Sequence, residues 1–443
     1  MKLKIYSSLS KKNEEISFVD ENISMYVCGP TLYNALHIGN GRTLIVFDTL
    51  YRFFLKFCKK KITYVRNITD IDEKIIQKSQ QSYKTPEEVV EENYKLYNKD
   101  KENLNLLTPN YEPFFTEYLP KMFDYIYDLI EKNYAYITHK NNIYFSIDKL
   151  EKYDFLQNIE DLNTSVRINN EDDKNNSKDF AIWKTTDGFG YNSPWGKGIP
   201  GWHMECVVMH QELLGNSFTL HGGGIDLCFP HHNNEIALCY GRNNTLCTNI
   251  WVHNGLLNIK EEKMSKSINN IILMKDIIKN KFDGDVFRYL YLSTHYRSPL
   301  NYSEDKLENS LKNIKKIREF KFKYNNFLNK FCESVYSDHL LEDFNTPSLL
   351  NYLHNKIDDF IQSIDLKEKQ IIYTTILNTL YMLGFNLSIR TKLSEKEINK
   401  LTEQRWNLKK NKEFAESDKI RTLLHNNFIE IEDTSYGYIW FYV

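Results

Sequence analysis

The chain is expected to fold as an α/β protein: a parallel sheet assembled in two halves around an insertion, then an all-α helical bundle, then a small C-terminal unit. Three features predict this. Strand-like and helix-like runs alternate between Ile23 and Lys74, the order that builds parallel strands with right-handed crossovers. Strand-like runs return near Phe218 after a polar interval. After about residue 305 long helical apolar stripes take over, and Pro347 is the last proline.

In order, residues 23–28 read as a short strand, 43–57 as a helix from their apolar spacing, and 62–66 as a second strand. Residues 67–74 read as a loop leading into another helix. Residues 169–178 (NNEDDKNNSK) lack periodicity and read as a surface loop. Runs near 218–221 and 251–259 resume the sheet, which makes 111–200 an insertion. Beyond them, Leu307, Leu311, Ile314 and Ile317 form one stripe, and Leu349, Leu353, Ile357, Phe360 and Ile364 a second. Ile372, Ile376, Leu380 and Leu383 form a third, ending at Gly384. Residues 417–443 combine a helix with an aromatic tail. The expected units are 1–110 and 201–252 for the two sheet halves, 111–200 for the insertion and 253–306 for a junction. A bundle over 307–390 and a C-terminal unit over 391–443 complete the chain.

A chain of 443 residues can bury a large core, and 14% aromatic with 26% charged residues describes a folded globular protein. The longest apolar stretch, residues 44–57, is broken by Asp48 and Arg52, so no membrane span is expected. The start, MKLKIYSS, lacks the apolar core of a secretory signal, and a cytoplasmic location is expected. Seven scattered cysteines, an odd number, argue against a disulfide framework and leave metal ligation, catalysis or packing. With a net charge of −2, any nucleic acid must be held by a local basic patch.

Two motifs handle phosphate chemistry. His37-Ile38-Gly39-Asn40 follows the first strand and opens a helix, whose N-terminal N–H groups suit a polyphosphate. Gly39 clears space for a nucleotide, and His37 and Asn40 offer donors. Lys263-Met264-Ser265-Lys266-Ser267 places two lysines in a small polar segment that can neutralise a departing pyrophosphate. This pair, in this order, resembles the signature of class I aminoacyl-tRNA synthetases. Cys28, Cys206, His231 and Glu235 are candidate metal ligands, since thiolates with an imidazole and a carboxylate suit zinc. His231 and Glu235 are i and i+4, on one face if helical. Cys228, His232 and Cys239 are rivals that spacing does not exclude.

The strings MYVCGPTLYNALHIGN, YVRNITDIDEKII, GWHMEC, HGGGIDLCFPHH, EKMSKS, HYRSPLNYSEDKL and EDFNTP resemble the cysteinyl-tRNA synthetase family in content and order, nearly end to end. The resemblance implies a Rossmann-type catalytic domain and a two-step reaction. L-cysteine is activated by ATP with Mg²⁺ and then passed to the terminal ribose of tRNA(Cys). It implies that Cys28, Cys206, His231 and Glu235 hold one zinc ion. It places Cys28, Gly29, Thr69, Trp202 and His221 about the cysteine. ATP falls to His37, Gly39, Asn40, Gly222, Gly223, Asp226, Lys263 and Lys266, of which His37, Asn40, Lys263 and Lys266 are the catalytic set. A monomer is the family expectation. Asn40 departs from the histidine usual there, and so loses a group that can become cationic; Asn233 stands where an acid is common. Lys392, Lys396, Lys400, Arg405, Lys409, Lys410 and Lys412 are candidate phosphate contacts for tRNA, and Tyr436, Tyr438 and Trp440 candidate stacking groups. The alternatives are a ligase joining cysteine to a small amine on the same core, or a non-catalytic RNA-binding relative.

Overall fold

The computed structural model describes residues 2–19, 21–156, 173–259, 262–263, 271–278, 283–324, 327, 338–387, 393–427, 429–434 and 437–442. Its centre is a four-stranded parallel sheet in the order Trp251–Asn254, Leu220–Gly224, Ile23–Val27, Ile62–Arg66. Met25, Tyr26 and Val27 are all buried, as a sheet covered on both faces requires. From Ile23–Val27 the chain winds through the helix Ile38–Phe57 to Ile62–Arg66 on one side. From Leu220–Gly224 it winds to Trp251–Asn254 on the other. The winding direction therefore reverses between the two inner strands, and a crevice opens beyond their C-terminal ends. This is the expected α/β class.

The run 251–259, expected as one strand, is two. Trp251–Asn254 stays in the central sheet, while Leu257–Ile259 joins a separate sheet with Glu262–Lys263 and Leu300–Tyr302. Gly255 marks the break: a Cβ there would meet the carbonyl oxygens of Ser298 and Arg297 at 2.5 and 2.6 Å. Between the sheet halves, the helix Leu119–Glu131 adjoins an antiparallel sheet of Ala135–Ile137, Ile143–Phe145, Phe180–Thr185 and Gly198–Pro200.

The helices Glu304–Lys323, Thr346–Gln362 and Leu366–Leu383 bury the three stripes, with one exception. Ile364 is 96% exposed. It falls in the turn between Ser363, which ends one helix, and Asp365, whose carboxylate caps the next. The expected aromatic tail forms a hairpin, Ile429–Thr434 with Gly437–Tyr442, beside the helices Glu395–Lys410 and Phe414–Asn426. Here Arg405 and Lys409 both bind Asp433 at 2.6 to 2.9 Å, and the Trp440 ring lies 5.3 Å from that of Phe322. Arg405, Lys409 and Trp440 therefore also serve the packing of this unit. Lys392 and Tyr436 lie outside the described residues. No helix among the described residues is long and apolar enough to cross a membrane.

A buried ionic network joins the sheet domain to the bundle. Asp48 accepts from Arg52 Nε at 2.8 Å, from Arg288, and from the Leu107 amide at 2.7 Å. Arg288 also donates to the carbonyls of Leu104 and Leu383, and Asn105 Nδ2 to that of Gly384. Gly384 closes its helix at φ +72°, and a Cβ there would meet Arg288 Nη1 at 2.3 Å. Removing one member of a buried ion pair costs about 3–5 kcal/mol because the others stay charged. Asp48→Ala is expected to lower the urea midpoint accordingly; an unchanged midpoint would mean that the backbone carbonyls alone satisfy both guanidinium groups.

Candidate active site

One cleft lies over the crevice. Cys28, Gly29, Trp202, Glu205 and His231 line one end, and His37, Asn40 and Asp226 the other. Cys28 follows directly from the strand Ile23–Val27, which delivers its sulfur to the point where the winding reverses. Gly29 is required by close approach: a Cβ would lie 1.7 Å from the Asn67 carbonyl oxygen.

Donor atoms of Cys28, Cys206, His231 and Glu235 lie within 4.8 Å of one another, all buried. Cys28 Sγ is 3.5 Å from Cys206 Sγ and 3.6 Å from His231 Nε2, and Cys206 Sγ is 3.5 Å from the same nitrogen. Glu235 Oε1 lies 3.0 Å from His231 Nε2. Glu235 stands in the first turn of the helix Asn233–Asn243, while His231 lies just before it, in a kinked turn containing the cis bond Phe229–Pro230. The kink falls at Phe229, before His231, so the expected i, i+4 face from His231 to Glu235 holds and the two side chains meet. Two sulfurs, a nitrogen and an oxygen at these separations fit a zinc ion. A second set, Cys28, His221, His232 and Glu235, is equally compact. In it, however, His221 Nε2 is bonded to Glu235 Oε2 at 2.8 Å. His232 bridges Cys28 Sγ at 3.2 Å to His253 Nε2 at 2.7 Å. These two imidazoles orient ligands from behind. Of the rivals, Cys228 joins neither set, and Cys239 belongs to a different group of side chains.

The charges interlock. Burial opposes ionisation of Cys28, but hydrogen bonding to Cys206 and the His232 and His231 imidazoles hold its thiol well below the usual range. Burial pushes Cys206 well up, and its hydrogen bond to Cys28 adds to this. Burial would raise Glu235, but His221 and His231 hold its carboxyl well below the ordinary value. Burial would lower His231, but Glu235 and Cys28 lift it to about 10. His203, lowered by burial and by that neighbour, stays neutral with its Nδ1 3.1 Å from His231 Nδ1. Trp202 stacks on His231 with centroids 4.1 Å apart.

At the other end, His37 Nδ1 accepts from the Asn40 amide and Asn40 Oδ1 accepts from the His37 amide, both at 3.2 Å. This reciprocal capping box starts the helix at Ile38, five residues before the apolar spacing suggests. It spends the Asn40 oxygen and leaves its amide donor. Gly39 lies in the first turn. Asp226 is exposed on the turn after Gly224. Gly222 and Gly223 also have a packing reason: Cβ atoms there would strike Phe47 at 2.2 Å and His232 at 2.7 Å. Thr69 and His221 are buried behind the cleft, Thr69 Oγ1 donating to Glu205 Oε1 at 2.8 Å. Glu205, which burial pushes well above the carboxylate range, was not foreseen, nor were His203 and His253. Glu205 and His203 sit inside the GWHMEC string, the one signal that could have pointed to them. Lys263 pairs with Asn258 in a strand, and beyond the string Ile38 N donates to Ile272 O at 3.0 Å. Lys266 and the rest of residues 264–270 lie outside the described residues.

Known proteins agree with this architecture. The chain can be laid on methionyl-tRNA synthetase from Mycobacterium tuberculosis in complex with methionyl-adenylate, with TM-score 0.56, 13% identity, and 82% of this chain and 89% of the other covered. A second structure of that enzyme bound by methionyl-adenylate gives TM-score 0.53 at 13% identity, covering 83% and 91%. At such identity the likeness is one of fold. A family profile described as tRNA synthetases class I (C) catalytic domain matches residues 15–312. The chain therefore belongs to the class I tRNA synthetases, enzymes that bind ATP, an amino acid and tRNA and join the last two.

Proposed function

We propose that the protein is a cysteine–tRNA ligase, with Cys28, Cys206, His231 and Glu235 holding a zinc ion. The convergence of those four donors at the closed end of the cleft carries the reading. A bound zinc supplies selectivity, since it accepts the substrate's sulfur as a thiolate and takes a serine hydroxyl poorly. Trp202 and Glu205, with Thr69 behind Glu205, shape the wall against the amino acid. His221 and His232 hold Glu235 and Cys28 in place.

The cleft then orients the reaction. The cysteine carboxylate attacks the ATP α-phosphate in line, and pyrophosphate leaves toward the N-terminus of the helix Ile38–Phe57, whose partial positive charge and Gly39 N–H favour anions. His37 and the Asn40 amide contribute donors there, Asp226 takes the ribose, and Lys263 and Lys266 neutralise the leaving charge, with Mg²⁺ accompanying the nucleotide. The tRNA terminal hydroxyl next attacks the adenylate. Residues 307–443 are assigned to gripping tRNA, by resemblance.

Cysteine-dependent ATP–pyrophosphate exchange tests the reading: serine is expected to support it at least on the order of a thousandfold less well, about 4 kcal/mol. Exchange driven equally by another amino acid would overturn it. Zinc uptake at pH 7 is expected to release about two protons, one from Cys206 and one from His231, because both are protonated in the metal-free cluster. Apparent affinity therefore rises with pH and falls in acid, as calorimetry in buffers of different ionisation enthalpy will show; no release would mean other ligands. Asn40→Asp keeps the capping oxygen but replaces the phosphate donor with a negative charge. It is expected to lower kcat tenfold or more, about 1.4 kcal/mol, with an unchanged melting temperature.

A further inference from the structure

The four-donor cluster draws Cys206 from the helix Trp202–Leu214 and Glu235 from Asn233–Asn243. Four residues further along each helix stand His210 and Cys239. A spacing of i, i+4 puts each of them on the same face, one turn on. Cys247, in the segment after the second helix, completes a second group. The donor atoms of His210, Cys239 and Cys247 also lie within 4.8 Å of one another, and their exposures are 0%, 0% and 1%. The proposed adenylation chemistry uses none of them.

The separations match those of metal ligands. Zinc–sulfur bonds of about 2.3 Å and zinc–nitrogen bonds of about 2.05 Å place the two donors about 3.6 Å apart in a tetrahedron and about 3.8 Å apart in a trigonal plane. Cys239 Sγ and His210 Nε2 are 3.7 Å apart. The first cluster has 3.6 and 3.5 Å between its sulfurs and His231. A single buried cysteine is ordinarily inert packing. Here two sulfurs face one imidazole whose Nδ1 is buried with no hydrogen-bond partner among the described residues. Nε2 meets only weak sulfur partners, and a coordinate bond from it to a cation would replace them with a strong one while Nδ1 keeps the proton.

The donor set selects the cation. Two sulfurs and a nitrogen without a carboxylate reject the oxygen-seeking magnesium and calcium ions. The rings of Phe218 and Tyr26 lie 4.8 and 5.6 Å from that of His210 and wall the group from water. We propose that His210, Cys239 and Cys247 bind a second, structural cation of the thiophilic class, zinc(II) or copper(I), one helical turn behind the first site. It clamps the two helices and the chain after them, and so steadies the elements that present Cys206 and Glu235.

The full chain, stripped by chelation under reducing conditions and reloaded anaerobically with zinc(II) or copper(I) in separate arms, tests this by metal counting after gel filtration. Wild type is expected to hold two equivalents in the arm supplying the right ion. Cys239→Ser/Cys247→Ser should hold one and keep cysteine-dependent exchange. Cys28→Ser/Cys206→Ser should keep the equivalent that the other pair loses. A wild-type chain that holds a single equivalent in both arms, lost with Cys28→Ser/Cys206→Ser, overturns the proposal and needs no folded Cys239 variant. A single equivalent lost only with Cys239→Ser/Cys247→Ser instead upholds it and sinks the first site's assignment.

Discussion

A carboxylate with no access to water must be paired, and Glu235 is where this chain meets that constraint. One oxygen accepts from His221 on a central strand, and the other faces His231 and Cys28. The strand, the kinked turn before the helix and the end of the neighbouring strand are thereby bound to one point. Because desolvation penalises every uncompensated charge there, the cluster works as a set. Moving any one member leaves another charged and alone. Even the imidazoles further back, His203, His232 and His253, are ordered by the need to hand hydrogen bonds outward from that centre.

The opposite end of the cleft obeys a different rule. Helix starts leave N–H groups unpaired; Asn40 and His37 satisfy two of them reciprocally, Ile272 O takes that of Ile38, and among the described residues that of Gly39 is left for an anion. An asparagine at this place thus doubles as a cap. The cleft consequently has a closed, sulfur-rich end and an open end of backbone donors, set by the reversal of winding between Ile23–Val27 and Leu220–Gly224. The Asp48, Arg52 and Arg288 network fixes the helix that makes the open end against the bundle that follows, so the two units share one rigid joint.

Local pattern was enough for much of the architecture. Apolar spacing in residues 43–57, 307–317 and 372–383 marks helices because a face with period 3.6 must be buried somewhere, whatever buries it. Short apolar runs mark the inner strands for the same reason. The fold class followed. Where a neighbour decides the outcome, pattern was not enough. The run 251–259 breaks at Gly255 because another loop's carbonyls cross there. Ile364 continues a stripe on paper but lies in a turn that Ser363 and Asp365 enforce. Arg405 and Lys409 read only as part of a basic run, and the Asp433 carboxylate that pairs with both is found 24 or more positions further along.

The sequence by itself determined the α/β class, the helical second half and the presence of residues with the chemistry of metal ligation and phosphate binding, since residue type and period are local properties. Only the tertiary structure decided which of them meet. Cys28 and Cys206 are 178 positions apart and touch at 3.5 Å, while Cys228 stands three positions before His231 and joins neither cluster. Convergence of that kind depends on strand order and on a kink, and neither is written in the spacing of the residues it brings together.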